Sequence, residues 1–294
     1  MLFMGIDVGT QGVRCVVSDE CGNIAAAHSV PFASLNIARH EGWYEQSPAV
    51  WKAAAEEALS GLEAKQVLSG AYRALLRNDV AGTMLSTFSG VFSADNAQRG
   101  LSRLKGREGE AVAAACVTLM DDPHRPGSAS SAPFDGEGVA TVPKAVIEDG
   151  RLTTLLHNLK TAHKQGVATT ANASRAGYAS PVGVAPTNFY FRPTDEGFDA
   201  MLARLGDGLL ITDLQGMHAG ANPITGDFSL AAKGFTVKGG KIEAPVNQIT
   251  VAGNFYDLLM HIEAVGGDLE FHAPGASCFG SPSLLVKGLS VAGA

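Results

Sequence analysis

The distribution of apolar and polar positions predicts a chain of short strands with few helices. Apolar runs at Phe3 to Val8, Arg14 to Ser18 and Ile24 to Phe32 are separated by glycine-containing turns, which predicts a three-stranded β-meander. Tyr72 to Leu76 is typical of a strand. From Asp79 to Phe92 the apolar residues recur at helical spacing, so a helix should follow that strand.

The rest of the chain is predicted to be rich in hairpins. Two turn signals, Asp149-Gly150 and Gly239-Gly240, lie between apolar runs and predict β-hairpins. The other expected elements are a helical tendency from Asn96 to Leu104, a strand from Val117 to Met120, a long loop from Asp121 to Gly138, a strand from Leu209 to Leu214, one helix around Asn254 to Ala264, and otherwise short strands to Ala294. We expect an α+β fold with a large antiparallel sheet system.

Composition and charge narrow the functional classes. Glycine is common, 35 of 294 residues, which favours a turn-rich β structure. The net charge of −7 disfavours binding to nucleic acid. The four cysteines form no C-x-x-C pair, so neither a zinc knuckle nor a redox pair is indicated. With neither a signal-peptide pattern nor an apolar run long enough to span a bilayer, we expect no membrane association and a cytoplasmic location.

The turn after the first apolar run has a composition that suits phosphate binding. Asp7 is followed by Gly9 and Thr10, which places backbone N–H groups and a hydroxyl at one end of the predicted hairpin. An aspartate there can hold a magnesium ion through water. Asp7, Gly9 and Thr10 are therefore candidates for phosphate and magnesium binding, and an ordinary glycine-rich hairpin is the alternative.

A second motif follows the meander. The string G-W-x-E-Q-x-P-x-x-W runs from Gly42 to Trp51, with Ser47 and Pro48 suited to begin a helix that continues to about Leu62. Together with the earlier D-x-G-T string, it resembles the opening of the FGGY carbohydrate kinases. That resemblance implies part of an actin-like (ribonuclease H-like) lobe, in which the phosphate candidates would face ATP and magnesium.

A kinase of this type needs more than these residues provide. Phosphoryl transfer depends on groups positioned from both sides of a closing cleft. The resemblance covers residues 1–62 only, without the catalytic aspartate or the adenine-binding loops of a second domain. We therefore expect an inactive fragment, with carbohydrate kinase activity kept as the alternative function.

The larger part of the chain resembles another family. Five groups of strings occur in order: Asp121-Asp122-Pro123 with Pro133 to Val139, Val146 to Leu152, Ala219 to Ser229, Pro245 to Asn254, and Gly280 to Ser283 with Leu289 to Gly293. They resemble the β-rich C-terminal domain of the TldD/PmbA family. The expected division is thus a kinase-like fragment at 1–62, a junction at 63–69 and a TldD/PmbA domain at 70–294. The junction suggests a gene fusion, a deletion product or a misassembled reading frame.

The TldD/PmbA resemblance implies a cytoplasmic peptide-processing system, linked early to DNA gyrase modulation, that works as a dimer of related subunits. Its catalytic subunit holds zinc through an H-E-x-x-x-H helix, and its partner subunit lacks those ligands. The only His-Glu pair here, His40-Glu41, has no histidine at that spacing. We expect no cofactor in this chain, with zinc possible in a partner, and a homodimer or a heterodimer with a TldD-like subunit that receives a peptide substrate.

Two further observations concern possible site residues. Catalytic subunits of the family recruit a cysteine ligand near the C-terminus, and Cys278 lies in that region, but a small buried or loop thiol is the favoured interpretation. The polar stretch from Gly216 to Ser229 could line a groove for an extended peptide through His218, Asn222, Thr225, Asp227 and Ser229. A structural loop, in which Asn222 and Asp227 satisfy buried backbone groups, is the alternative. Asn172 and Arg175 are weaker candidates.

Three functions stay open at this point. The first is a non-catalytic partner subunit that binds peptide, or a truncated subunit that lacks its zinc helix. The second is a metallopeptidase completed by ligands from another chain, and the third is the kinase relative. Whether the chain is an enzyme is left undecided by the sequence.

Overall fold

The N-terminal segment forms small antiparallel sheets. The computed structural model describes residues 1–8, 12–31, 38–40, 43–45, 64–272 and 276–294, with isolated positions between 48 and 59. Strands β1 (Phe3–Val8), β2 (Gly12–Ser18) and β3 (Ile24–Pro31) pair in that order, which confirms the predicted meander. Strands β4 (Ala38–His40) and β5 (Trp43–Glu45) form a separate hairpin that the sequence pattern did not predict.

Most of the predicted helix from Ser47 to Leu62 lies outside the described residues. Within it, Pro48, Lys52, Ala55, Glu56 and Leu59 are described, and all five are helical.

The described residues between 70 and 294 form two six-stranded sheets, one two-stranded sheet of β10 and β11, and six α-helices. The strands, in chain order, are β6 (Gly70–Leu76), β7 (Leu119–Asp121), β8 (Lys144–Glu148), β9 (Arg151–Leu152), β10 (Ala173–Ser174), β11 (Gly183–Val184), β12 (Asn188–Phe191), β13 (Gly208–Gln215), β14 (Asp227–Lys238), β15 (Lys241–Asn254), β16 (Ile262–Val265), β17 (Glu270–His272), β18 (Cys278–Ser281) and β19 (Leu284–Ala292). The helices are α1 (Asn78–Phe88), α2 (Ala94–Gln98), α3 (Leu159–Gln165), α4 (Phe198–Leu205), α5 (Met217–Gly220) and α6 (Phe255–Met260).

The larger sheet closes on itself. Its order is β15-β14-β13-β6-β19-β16, and an additional pairing of β15 with β19 joins five of the strands into a ring. Alternation along the strands separates two apolar layers. Leu209 and Ile211 belong to the main core, whereas Leu75 and Leu210 on the opposite face join Met201 of α4 in a smaller cluster.

The second sheet shares the main core with this barrel. Its order is β17-β18-β12-β7-β8-β9, antiparallel except for the β12–β18 pair. Helix α1 lies against β17, β18 and β13. Its last residue, Phe88, stacks on Phe255 at 4.8 Å between ring centroids, and Phe92 meets Phe189 of β12 edge-on at 5.5 Å. The aromatic contacts thus join both sheets into one core.

The two hairpin predictions are confirmed by backbone geometry. Asp149 and Gly150 both have positive φ, 46° and 78°, between β8 and β9. Gly239 and Gly240, with φ of 54° and 74°, connect β14 to β15 in the same way. Two consecutive residues with positive φ are what a type I′ turn requires, so the turn chemistry fixed these two connections.

Two predicted helix boundaries are wrong. The helical tendency from Asn96 to Leu104 becomes the short helix α2, which ends because Gly100 turns left-handed at φ 79°. The helix predicted around Asn254 to Ala264 ends at Met260, since β16 pairs with β19 instead.

The expectation of short strands also fails for the central hairpin. Strands β14 and β15 have 12 and 14 residues, and register shifts interrupt their pairing between Ala232 and Gly234 and between Thr236 and Val237. Such bulges break the alternation that marks a long strand in the sequence. Among the helices that the structure describes, none is both long and apolar enough to cross a membrane.

Candidate functional site

The predicted groove segment is a tightly folded loop. Helix α5 packs against the start of β14, where a side chain at Gly220 would come within 2.2 Å of the Ser229 carbonyl oxygen. An isolated bridge pairs Ala221 with Phe228, and the Asn222 N–H donates to the Asp227 carbonyl oxygen at 2.8 Å. The segment from 216 to 229 is therefore held by its own backbone contacts.

Three of the five groove candidates satisfy backbone and side-chain partners within this loop. The Asn222 side-chain oxygen accepts from the N–H groups of Ile224 and Thr225 at 3.0 and 3.2 Å. The Asn254 amide donates to the Thr225 carbonyl oxygen and to Asp227 Oδ1, at 2.9 and 2.7 Å. The hydrogen bond from Asn254, and then one from Thr225, lower the pKa of the exposed Asp227 carboxyl.

The other two candidates point to solvent. His218 on α5 and Ser229 on β14 are both exposed. The structure thus brings Asn222, Thr225 and Asp227 together around Asn254, a residue that the sequence pattern marked only as the start of a helix. Asparagine is a preferred N-cap residue, and this preference is the sequence signal that could have identified Asn254. In the structure its side-chain oxygen accepts from the Tyr256 N–H at 3.0 Å.

A cavity of about 210 Å³ opens beside this loop. It lies where β15 and β19 separate beyond the Ala252–Ser290 pair. We call it the β15–β19 notch; Phe228, Leu258 and Leu289 form its apolar floor, and Asp257, His261 and Lys287 lie at its rim. Gly288, with φ 69°, lies in the bulge of β19 where its register with β6 shifts between Val286 and Leu289.

The notch offers an apolar floor next to exposed charges of both signs. Asp257, His261 and Lys287 are exposed, whereas the floor residues are between 4% and 8% exposed. Since an apolar recess with a few polar groups is the usual form of a ligand site, the notch can seat one apolar side chain of a bound molecule.

A buried polar network lies in the second sheet and was not predicted. Asp121 is fully buried, and its Oδ2 accepts from Lys144 Nζ at 2.9 Å and from Asn172 Nδ2 at 2.7 Å. Its Oδ1 accepts from the N–H and the hydroxyl of Thr187 at 2.7 and 2.8 Å. The carboxylate therefore accepts four hydrogen bonds, all from groups of the protein. Through the bond from Asn172, it holds the loop around that residue against β7.

The two weaker candidates have structural partners. Asn172 Nδ2 also donates to the Ala185 carbonyl oxygen at 3.1 Å, and Arg175 Nε donates to the Gly136 carbonyl oxygen at 3.2 Å. Nearby, His157 is 1% exposed and its Nδ1 lies 3.2 Å from the Thr161 hydroxyl. Burial lowers the pKa of this imidazole.

A second cavity has a volume of about 340 Å³. Its lining includes Ser93, Asn96, Leu156, Pro186 and Ser277. Its polar groups are largely engaged, because Asn96 Nδ2 donates to the Gly90 carbonyl oxygen and Ser277 Oγ donates to that of Pro186, at 2.8 and 2.6 Å.

The described residues do not assemble a metal site. Within the parts of the chain given above, no three His, Cys, Asp or Glu side chains are grouped so that they could hold a metal ion. Cys278 is buried on β18, where its N–H donates to the Thr187 carbonyl oxygen at 2.8 Å. His218 lies on α5, outside that sheet. Among the residues that the structure describes, the donors do not fit a catalytic zinc, which needs three protein ligands.

The phosphate candidates are only partly described. Asp7 is exposed on β1 and lies opposite Arg14 of β2 in the strand register. Gly9 and Thr10 lie outside the described residues. The kinase interpretation of residues 1–62 therefore stays a prediction.

The fold and the ordered strings identify the family. Residues 69–293 match the model of the PmbA/TldA metallopeptidase C-terminal domain, so the chain belongs to that metallopeptidase family. This result confirms the resemblance predicted for residues 70–294.

Similar proteins named as PmbA metalloproteases support this family assignment. Metalloprotease PmbA of Escherichia coli O157:H7 is 30% identical over 258 residues, which are 87% of this chain and 53% of that protein. The metalloprotease PmbA homolog of Haemophilus influenzae is 33% identical over 228 residues, 76% of this chain and 48% of the relative. The chain thus spans about half the length of these relatives.

Solved structures share the whole fold. A Thermotoga maritima protein named as a modulator of DNA gyrase aligns with a TM-score of 0.77 at 38% identity, over 96% of this chain and 67% of that one. TldE from Thermococcus kodakarensis aligns with a TM-score of 0.76, over 96% of this chain and 67% of its own; at 19% identity it shows the fold alone. An alignment that covers 96% of the chain is longer than the segment 69–293 that the family model matches. Both alignments therefore extend into the N-terminal segment.

Proposed function

We propose that this chain is the non-catalytic, peptide-binding subunit of a PmbA/TldD-type peptide-processing system. One observation carries the proposal. The chain belongs to a metallopeptidase family, but its 294 residues contain no H-E-x-x-x-H string. Two imidazoles on one helical face are the usual way for a peptidase helix to hold zinc. A chain without that pair binds substrate or partner and relies on another chain for hydrolysis.

The donor chemistry of the described residues supports the same proposal. Cys278 is committed to the core of the second sheet, and the exposed His218 is part of a different element, so the two do not form a common ligand set. No catalytic step is therefore assigned to any residue of this chain. Its contribution to the reaction is to hold a peptide and to dock to a zinc-bearing subunit.

The β15–β19 notch is the place where we propose that the peptide binds. An extended peptide can follow the edges of β15 and β19 where their ladder ends, with an apolar side chain on the floor formed by Phe228 and Leu289. Asp257 and Lys287 at the rim suit polar groups on either side of that anchor. The folded loop around Asn222 forms one wall of the groove through Asn254.

Peptide binding is tested with the full chain. The probe is a fluorescein-labelled peptide of alternating leucine and serine, whose anisotropy is followed during titration. We expect saturable binding that Ser290→Trp weakens strongly, because the new ring fills the notch. The matched control is Ser86→Trp, which places the same ring on the exposed face of α1.

Zinc analysis and a peptidase assay complete the test. We expect substoichiometric zinc and no cleavage by the chain alone, with cleavage when a zinc-bearing family member is added. Stoichiometric zinc together with turnover by this chain would overturn the non-catalytic role. Equal peptide affinity of wild type and Ser290→Trp would overturn the assignment to the notch.

A further inference from the structure

A row of aromatic and thioether side chains crosses the outer face of the second sheet. Tyr190 of β12 pairs with Gly280 of β18 on one side and with Met120 of β7 on the other. Phe271 of β17 lies opposite Gly280 and covers it, because a side chain at Gly280 would come within 2.9 Å of the phenyl ring. The rings of Phe271 and Tyr190 are 5.3 Å apart between centroids. These rings and Met120 remain partly exposed, so the row forms an outward-facing apolar surface.

Two arginines lie against this row. The guanidinium carbon of Arg125 is 3.7 Å from the centroid of the Phe271 ring. At the other end, Arg192 Nη2 donates to the Met120 sulfur at 3.1 Å. Arg192 follows Tyr190 by two positions, so strand alternation puts their side chains on the same face. The two guanidinium groups are therefore in direct contact with apolar side chains.

The positive charge on this face is available to a ligand. Burial and then the Asp122 carboxylate raise the pKa of Tyr190, and the charges of Arg192 and Arg125 oppose that rise, so both arginines act on one phenol. Within the described parts of the chain, neither arginine forms an ion pair with a carboxylate. Asp122 Oδ1 accepts from the His124 N–H at 2.9 Å instead. On a chain with a net charge of −7, this face can thus select an anionic group.

The loop after β7 holds Arg125 over its ring. Asn188 Nδ2 donates to the Asp122 carbonyl oxygen at 2.6 Å and to Ser131 Oγ at 3.0 Å, which ties both ends of the loop to β12. The Ser131 hydroxyl in turn donates to the Arg125 carbonyl oxygen at 2.7 Å. A guanidinium stacked on a ring keeps its N–H edge for a planar acceptor, and a group held in advance loses less entropy when it binds.

We propose that this surface binds the C-terminal end of a peptide whose last residue is apolar or aromatic. We call it the arginine–aromatic face; it consists of Met120, Arg125, Tyr190, Arg192 and Phe271. A guanidinium fork binds a carboxylate through two parallel N–H···O bonds, and the rings and the thioether provide apolar contact beside it. In a C-terminal residue the carboxylate and the side chain leave the same carbon atom, which matches arginines in direct contact with apolar groups.

The arginine–aromatic face adds a second contact for the peptide of the proposed function. It rests on that function only in that the ligand is a peptide. The face belongs to the second sheet, whereas the β15–β19 notch belongs to the larger sheet, so the two sites can be tested separately.

Fluorescence anisotropy with the full chain tests the site with three probes. The first is a fluorescein-labelled serine-glycine peptide that ends in phenylalanine with a free carboxylate. The second is the same peptide with an amidated end, and the third carries an internal phenylalanine-glutamate pair and an amidated end. We expect the first to bind saturably and at least about tenfold more tightly than the other two, because hydrogen bonds to a charged group exceed that factor.

Substitutions assign the binding to this face. Arg125→Gln and Arg192→Gln should each weaken binding of the free-acid probe at least about tenfold. The matched control is Arg103→Gln, which removes an arginine that lies over the Tyr256 ring at 5.3 Å, outside the second sheet, and should leave the affinity unchanged. Circular dichroism confirms that the variants are folded.

The notch variant separates this proposal from the proposed function. Ser290→Trp should leave binding of the free-acid probe unchanged, and Arg192→Gln should leave binding of an amidated leucine-serine peptide unchanged. No saturable binding of the free-acid probe, equal binding of the amidated or glutamate probe, or unchanged affinity in both arginine variants would each overturn the arginine–aromatic face, and none of these results would bear on the notch.

Discussion

The buried Asp121 carboxylate gives the sharpest stability prediction. It is fully buried and accepts four hydrogen bonds, from Lys144, Asn172 and two groups of Thr187, at 2.7 to 2.9 Å. Asp121→Ala removes all four acceptor contacts and leaves the Lys144 ammonium, only 12% exposed, without its counter-charge. Breaking a buried pair from one side costs about 3–5 kcal/mol, so we expect a loss of that size in the free energy of unfolding.

Chemical denaturation followed by far-UV circular dichroism measures this loss. A surface pair provides the matched control: Arg107 Nε lies 2.8 Å from Glu110 Oε2, with the two side chains 38% and 57% exposed. Glu110→Ala should change the free energy of unfolding by at most about 1 kcal/mol, because exposed ion pairs are weak. A cycle with Lys144→Met should show a coupling of about 0.5–3 kcal/mol. If Asp121→Ala costs no more than Glu110→Ala, the proposed role of the network is refuted.

Three further predictions concern local features. Burial lowers the pKa of His157 in the folded protein, so below about pH 6.5 the unfolded chain takes up a proton that the folded protein does not. The free energy of unfolding should therefore fall as the pH drops below that value, and urea titrations of His157→Gln at a series of pH values should show a shallower decline. Gly150→Ala should destabilise the protein more than Gly138→Ala in thermal melts, because both have positive φ but only at Gly150 would the new carbon meet a carbonyl, at 2.5 Å; equal melting temperatures would contradict the clash. Asn158→Ala removes the side-chain cap of α3 and should cost about 0.5–2 kcal/mol in denaturant titrations, and a neutral result would exclude that role.

Local chemistry made parts of the fold predictable. The Asp149-Gly150 and Gly239-Gly240 turns depend on residues that tolerate positive φ, and this preference is visible in four letters of sequence. Likewise, the apolar spacing from Asp79 to Phe92 depends only on helical periodicity, and α1 with the following 3₁₀ turn (Ser89–Phe92) reproduces it.

Long-range pairing was not predictable in the same way. Strand β16 replaced the end of a predicted helix because it pairs with β19, a contact that leaves no local mark. The bulges place their extra residues in β15, where they interrupt the alternation that would have revealed the length of that strand. Tertiary context overrides local pattern in both cases.

The sequence pointed to the loop from Gly216 to Ser229 and offered a structural role for Asn222 and Asp227 as one alternative, but it did not indicate the notch beside that loop. The stretch from Gly216 to Ser229 was singled out for its polar composition, and the structure shows Asn222 and Asp227 bound to neighbouring backbone and to Asn254. The notch beside it lies where the β15–β19 ladder ends, close to a bulge of β19 at Gly288. A single sequence does not report such a bulge.

Closure of the barrel also determines when the chain can fold during synthesis. The ring requires β19 to pair with β6, and the Gly293 N–H donates to the Ser69 hydroxyl, 224 positions earlier in the chain. Until β19 has left the ribosome, one edge of β6 is unpaired and β15 lacks its pairing with β19. During synthesis the β-rich domain therefore exposes unpaired strand edges until β19 is available. Such long-range pairing is slow, and the exposed edges favour aggregation of the nascent chain.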